Sequence, residues 1–447
     1  MIQVFMSKRA LQLERLLIYV WGIMFPWQTV WIYRTAFING SVWQYGTLGL
    51  YVSEAVLCLL CTVTIFNFRS VVDIKKPDKK IFGKRLLYLS LFLAFPCFAL
   101  VSVLWSQDAD ISVRHALYLI EGYLLLTTIV VSRVQLGEWL RAFLVGSIAP
   151  IVLGLFQWFS QSTFSSTVFG LSEHVVSNPG TSIVASETIG RWLRAYGTFP
   201  HPNIFAGYLV FVLLCTFLFK LYTEKLRDRV LVVVIHILGV FTLCATFSRS
   251  ALLGYLFLCI GFFLYALKQH FRALLPLFVG TFFCVVFFGI FYHDVLFTRT
   301  IPISVSETRS IAERTHLLHV AWELHLDQPV LGFGGGLFTY AWYIADSQLS
   351  GYLYQPVHVA LFVILVEYGW LGTLLLGVSF GLVVWLWYRQ SGRNNILFFF
   401  SGIAPFVLIS FFDHYSATLY PGILIFSAYL SMFFRFSTGT PQSVHKI

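Results

Sequence analysis

The chain has 447 residues, 58% of them hydrophobic and 11% charged, with a formal charge of +10 and a mean hydropathy of +0.79. A soluble domain carries about 45–50% apolar and about 25% charged residues, so the composition excludes one and specifies a polytopic membrane protein built from helices, which satisfy their own backbone groups. The short alternating segments of a transmembrane barrel are absent, and the basic charge has no RNP-like, zinc-finger or helix-turn-helix pattern beside it that would point to nucleic acid.

Apolar runs of roughly 20 residues cross a bilayer. In chain order they predict spans near 14–33, 45–66, 85–105, 114–131, 140–159, 203–221, 230–247, 249–267, 273–292, 370–388, 394–412 and 417–435. The first follows Lys8, Arg9 and Arg15 and reads as a span, not a cleavable signal peptide. The expected organisation is one membrane domain over 1–447, with an outer loop at 160–202 and core spans over 203–292. A large outer loop with an interfacial helix follows at 293–369, then C-terminal spans over 370–447. Residues 357–368 read as that interfacial helix, ended by Gly369.

Charge tests the alternation. With the N-terminus inside, 22 of 30 basic residues fall in inside segments, which places both termini in the cytoplasm and both long polar segments outside. All ten lysines are inside. The eight outside basic residues, Arg34, Arg114, Arg191, Arg194, Arg249, Arg299, Arg309 and Arg314, are all arginine. Lysine suffices as a topogenic charge, whereas the guanidinium fork holds phosphate or carboxylate bidentately. The bias reads as a phosphate-binding outer face, or as ion pairing with outside acids such as Glu187, Glu307 and Glu313. Glu54 and Glu121 are the main acids within spans. The seven cysteines lie in apolar runs, and the Cys58-x-x-Cys61 pair has no histidine or charge near it, so a redox or metal role is not expected. No internal repeat of the transporter kind is visible.

Three constellations carry chemistry. The first is Arg191-Trp-Leu-Arg-Ala-Tyr-Gly-Thr-Phe-Pro-His-Pro-Asn203. Pro200 and Pro202 hold the chain extended, and Asn203 is expected to cap the next helix. The segment reads as a rigid loop-to-helix joint, or as a place where Arg194, His201 and a helix N-terminus face an anion. The second is Thr246-Phe-Ser-Arg-Ser-Ala-Leu-Leu253, which puts Arg249 in a very short turn at the outer boundary. A charge there is functional unless it snorkels. The third runs from His358 to Gly372, with Glu367 nine residues after the histidine. His358 reads as a structural histidine or as a base or orienting group for a hydroxyl. The second outer loop adds Arg309 and Arg314 ahead of an apolar helical stripe at 317, 318, 321, 322 and 324. His316, His319 and Glu323 have metal-compatible spacing, but no second cluster completes a site. The glycine run at 332–336 lacks the Lys-Ser/Thr of a phosphate loop and reads as a flexible turn. Asp413-His414, where a span meets the outside, is a further candidate.

Together these elements resemble the O-antigen ligase/polymerase family of bacterial membrane glycosyltransferases. The matching stretches are RAYGTFPHPNIFAGYL, TFSRSALL with Leu253 in its Arg-x-x-x-Leu element, AERTHLLHVAWELHLDQPVLGFGGGLF, and His358-Val followed by Gly369-Trp-Leu-Gly372. The resemblance covers about 190–435. One departure is Val359, where the family often has Asn, Ser or Gln, which bears on any acceptor contact by that neighbour. The resemblance implies an all-α fold of about twelve spans, GT-C-like, needing no metal and no cofactor. It implies an undecaprenyl-diphosphate-linked glycan as donor. The acceptor would be another lipid-linked glycan (polymerase, placed first), lipid A-core (ligase) or protein serine. By position, His358, Arg194 and Arg249 would be catalytic, the two arginines on the pyrophosphate. Arg191, His201, Asn203, Arg309, Arg314, Glu367 and Asp413 would bind substrate. Membrane lipids and a chain-length regulator complete the expected partners, and the site would face outward from the inner membrane. The rival reading is a lipid-linked oligosaccharide flippase or polysaccharide transporter, which should carry charge along a central path; here charge gathers at the outer rim.

Overall fold

The computed structural model describes residues 2–72, 79–178, 180–186, 190–297, 305–391 and 396–438. Arg299, Glu187, Lys75, Lys76, Arg393 and Lys446 lie outside these, and the side chains of Glu307 and Arg309 lie outside the described ones.

The molecule is a helix bundle. Helices α1 (Ile2–Met24), α2 (Val52–Val72), α3 (Lys79–Val101), α4 (Ala109–Val131) and α5 (Leu136–Ser160) form its first half. Helices α6 (Pro202–Tyr222), α7 (Leu226–Ala245), α8 (Arg249–Gln269) and α9 (Phe271–Phe291) follow. The short α10 (His293–Phe297), α11 (Val305–Asp327) and α12 (Phe338–Ala345) precede α13 (Ala360–Ser391), α14 (Ile396–Phe412), the single-turn α15 (Tyr415–Thr418) and α16 (Tyr420–Thr438). Among the described residues, eight helices are long and apolar enough to cross a membrane, and Val52–Phe68, Gly402–Phe412 and Tyr420–Phe436 are shorter apolar helices.

Helix α6 is the axis of the bundle. Every residue from Ile204 to Phe219 is buried, and a helix apolar on all sides belongs in the middle of others. It packs on α5, α7, α8, α9 and α16. Its start is set by Pro202 at the first helical position, where the missing N–H costs nothing.

The first two predicted spans need correction at their facing ends. Helix α1 stops at Met24, and residues 30–34 form β1 (Val30–Arg34), paired antiparallel with β4 (Leu48–Tyr51). Between them β2 (Phe37–Ile38) pairs with β3 (Ser41–Val42). The run Val30-Trp-Ile-Tyr is apolar enough to extend a span, but its β-branched and aromatic residues suit a strand once Pro26 has ended the helix. The 160–202 loop likewise contains a pair, β5 (Ile183–Ser186) with β6 (Gly190–Leu193).

These loops gather at one end of the bundle. Arg34 bonds Asp108 and Asp110, Thr29 donates to the Val168 carbonyl, Trp43 donates to Thr339, and Asn39 reaches the carbonyls of Ser347 and Leu349. The opposite end has its own links, with Glu14 accepting from Asn67 and Ser132, and Arg141 paired with Asp228.

Residues 360–368 and the span beyond form one helix kinked at Gly369, whose φ of 60° and ψ of −168° are non-helical. The break expected there is present, though the two parts are continuous. The glycine run at 332–336 is a fixed strap, not a flexible turn. Phe333 and Gly334 donate to the carbonyls of Val366 and Glu367, and Trp370 and Leu371 donate to those of Pro329 and Val330. Gly332 has φ +69°, and a Cβ there would lie 2.5 Å from the Glu367 carbonyl group, so the close approach requires glycine. On α11 the buried stripe is Leu317, Val320, Ala321 and Leu324, while Leu318 and Trp322 face outward.

Candidate functional site

The site forms where the ends of α6, α8, α13 and α14 meet beneath the gathered loops. Arg194 follows β6, and Ala195 donates to the Ala245 carbonyl at 3.1 Å, which docks this strand end on the turn before α8. The guanidinium then spreads over three partners: Nε to the Thr246 carbonyl at 2.6 Å, Nη1 to Ser182 Oγ at 2.8 Å and Nη2 to Asn203 Oδ1 at 2.6 Å. Asn203 passes the link on, its Nδ2 donating to Asp413 Oδ2 at 2.7 Å. The other Asp413 oxygen accepts the His414 N–H at 2.8 Å, and His414 Nδ1 contacts Thr418 Oγ1 at 2.8 Å. The His358 ring lies 5.6 Å from that of His414.

Asn203 does not cap α6. His201 does, its Nδ1 accepting the Asn203 N–H at 3.1 Å. Pro202 starts the helix two residues earlier than a cap at Asn203 implies, which frees the Asn203 amide to join Arg194 to Asp413.

Arg249 opens α8 and is exposed. The turn before it is as short as expected and holds Phe247 at φ +49°, a rare conformation for a bulky residue and a form of strain found at functional sites. Because Arg194 grips the Thr246 carbonyl, its guanidinium is tied to the turn from which Arg249 emerges. Arg314 on α11 is exposed, and its charge, like that of Glu313, reaches His358. Arg191 is also exposed and donates twice to the Val176 carbonyl, a loop contact away from the cluster. Glu367 is buried and accepts the Phe338 N–H at 3.4 Å, at the start of α12. It fastens the strap and does not join the histidine cluster.

Electrostatics favour neutral imidazoles around one carboxylate. Burial pushes His358 below the ordinary histidine value; Asp413 opposes this and Arg314 adds to it. Burial takes His414 down to about 4 against the pull of Asp413. His201 moves the same way, by burial and then by Arg194, although its ring keeps an edge open to solvent. For Asp413, burial alone would raise the pKa, but the surrounding imidazoles and the Asn203 amide outweigh it and the net direction is down. A neutral His358 beside an ionised Asp413 is competent to take a proton.

His358, Asp413 and His414 offer ligand atoms all within 4.8 Å of one another, the one such group among the described residues that could hold a metal ion. His316, His319 and Glu323 form no such group, and all three line exposed or partly exposed faces of α11. Sequence reading missed Tyr45, whose ring lies 6.1 Å from that of His414. It comes from the hairpin taken for the start of a span, and no motif marks it.

Fold and site define an integral membrane protein with a polar, histidine-bearing cluster under a lobe of loops at one end of its bundle. The family model described as O-antigen ligase matches residues 234–377, which supports assignment to the O-antigen ligase/polymerase family and a glycosyltransferase-like enzyme. The match contains Arg249, Arg309, Arg314, His358 and Glu367; Arg191, Arg194, His201, Asn203 and Asp413 lie outside it. A search of curated proteins returns no significant match.

Proposed function

We propose that this protein transfers a glycan from a polyprenyl diphosphate to an acceptor hydroxyl at the outer face of the inner membrane, with both termini in the cytoplasm. The observation that carries the reading is the unbroken link from Arg194 through Asn203 and Asp413 to His414, with His358 beside it. It joins an anion-binding end to a proton-accepting end within one cluster. Arg194 and Arg249 hold the diphosphate and stabilise its developing charge. Arg309 and Arg314 add positive potential, and Arg191 steadies the loop that covers the donor. Asp413 and Asn203 orient the cluster, and His201 holds the start of α6.

In the transfer the acceptor oxygen bonds to the anomeric carbon as the bond from that carbon to the diphosphate breaks. The bond's electron pair leaves on the diphosphate oxygen, and the acceptor's proton passes to His358. Nothing in this sequence of events requires a metal. Polymerisation, with a second lipid-linked glycan as acceptor, is placed ahead of ligation to lipid A-core.

The test is a reconstituted reaction with purified lipid-linked donor and either acceptor, run with EDTA. Transfer is expected at full rate. Abolition by EDTA sinks the metal-free mechanism and turns attention to His358, Asp413 and His414 as metal ligands. Movement of the lipid-linked donor across a vesicle membrane without any transfer would favour the flippase reading instead.

A further inference from the structure

A cavity of about 130 Å³ adjoins the cluster. It is walled by the hairpin at Gln44–Tyr51, by α4, by the start of α12 with Gly336, by α13 and by the turn into α16. Its lining combines flat rings with a buried charge. The rings of Tyr51 and Tyr420 stack with centroids 4.6 Å apart, and Tyr118 lies 5.1 Å from Tyr420. The Arg114 guanidinium sits 4.4 Å from the Tyr118 ring centre. Arg114 lines the cavity and is 4% exposed; its Nη2 is ion-paired with Glu54, while its Nε has no hydrogen-bond partner among the described residues. A buried N–H left without an acceptor is costly even where the charge itself is paired, and a concave site with rings and a few fixed polar groups is the usual form of a small-molecule subsite.

The chemistry that fits is a sugar residue. Its C–H face lies on an aromatic ring, and its hydroxyl oxygens accept from a donor of the lining such as the Arg114 guanidinium. The position selects which sugar. The cavity meets the cluster through Thr418, hydrogen-bonded to His414, and through Tyr45, whose ring flanks the same histidine. Arg194 enters the hydrogen-bond chain at its other end. Along this chain of contacts the histidine stands between Arg194 and the ring-lined cavity.

We propose that this cavity binds a sugar residue of the acceptor, a claim that rests on the transferase reading above. His115 and Glu367 shape the wall without offering free groups. His115 is engaged by the Tyr368 hydroxyl and the Ala417 carbonyl, and Glu367 by the α12 backbone.

Two variants test it. Gln44 is exposed at the wall, so Gln44→Trp adds bulk to the mouth while keeping the fold; Tyr118→Ala removes a ring from α4. The full chain in lipid nanodiscs is given an undecaprenyl-diphosphate-linked oligosaccharide as donor. In separate arms it receives a second lipid-linked glycan or lipid A-core as acceptor. Equilibrium binding of each acceptor is measured without donor. In the arm where the wild type is active, each variant should raise the acceptor KM and Kd by about tenfold or more. Donor KM and the size-exclusion profile should not change. An unchanged acceptor KM in both variants overturns the subsite, and so does a rise confined to donor KM, which would assign the cavity to the donor glycan. A wild type that transfers to neither acceptor overturns the transferase reading itself, and the subsite with it.

Discussion

Two polar clusters lie under the loop lobe, and they are built in opposite ways. In one, Arg114 of α4 pairs with Glu54 of α2, both almost fully buried. Glu54 also accepts the Tyr51 N–H at 2.8 Å, in the manner of a third-position glutamate closing the start of its helix. This pair pins α2 to α4 and its two charges answer each other; the Tyr118 ring covers a face of the guanidinium, and the Nε edge is left without an acceptor among the described residues. In the other cluster every member but Arg194, which follows β6, stands at a helix end or just outside one: His201 and Asn203 at the start of α6, His358 before α13, Asp413 and His414 after α14. Helix ends leave backbone groups and side chains open toward a common space. The difference separates residues that hold the fold from residues poised for a substrate, and substitution should separate them too.

The largest expected effect is that of His358→Ala. Loss of a base or orienting group typically lowers rate by ~10²–10⁴-fold. Helix α13 is held by Val363, Leu365 and Val366, all buried, so the protein should elute and melt like the wild type and still bind donor. Loss of donor binding would move His358 to the diphosphate side. Unchanged turnover would make it a structural residue and place it with the Glu54 pair.

Glu54→Ala is the converse. It leaves Arg114 buried and without its partner, which costs about 3–5 kcal/mol. The expectation is a clear drop in melting temperature and in the yield of folded protein. A variant that melts normally would mean that water reaches Arg114 and that the pair is as open as the histidine cluster.

Arg194→Lys should fall between these. The guanidinium serves three partners in different directions, and an ammonium cannot keep that fork. With charged hydrogen bonds worth about 1.5–3 kcal/mol each, kcat/KM should fall roughly ten- to a hundredfold. Donor titration should locate the loss, and a variant with wild-type kinetics would remove Arg194 from the diphosphate site.

The bundle was legible in the sequence because apolar length is a strong signal, and a helix occurs within each of the twelve predicted spans. The outer end was less so. Val30-Trp-Ile-Tyr satisfies a hydropathy count as well in a strand as in a span, and only its pairing with Leu48–Tyr51 decides. Arg194, His201 and Asn203 stood out together because they are neighbours in the chain. Their junction with Asp413 crosses 210 positions, and the Glu54–Arg114 pair crosses 60, distances at which periodicity carries no information. Glu367 stood out as an acid in an apolar run, yet its carboxylate belongs to the start of α12, a helix whose docking depends on a glycine strap that composition alone marks as loose.

The smallest effect concerns pH. His358 is held below the ordinary histidine value first by burial, with Arg314 pushing in the same direction and Asp413 in the other. If the neutral imidazole takes the acceptor proton, activity is full while His358 is unprotonated and falls as pH drops through its pKa. The acid limb of kcat/KM should therefore lie below the ordinary value near 6.5. Arg314→Gln removes a positive charge that disfavours protonation, so the pKa rises and the acid limb moves to higher pH. The plateau on the alkaline side reports any loss of the potential that Arg314 adds at the diphosphate, so the position of the limb, not its height, is the readout. Arg314 is exposed, so salt screens its field and the shift should shrink as ionic strength rises. A pH–rate profile of wild type and variant at low and high salt reads all three. A limb that moves to lower pH, or that does not move at low salt, would detach Arg314 from His358. A limb equally displaced at both salt concentrations would instead mean that α11 positions the histidine by contact, not by charge.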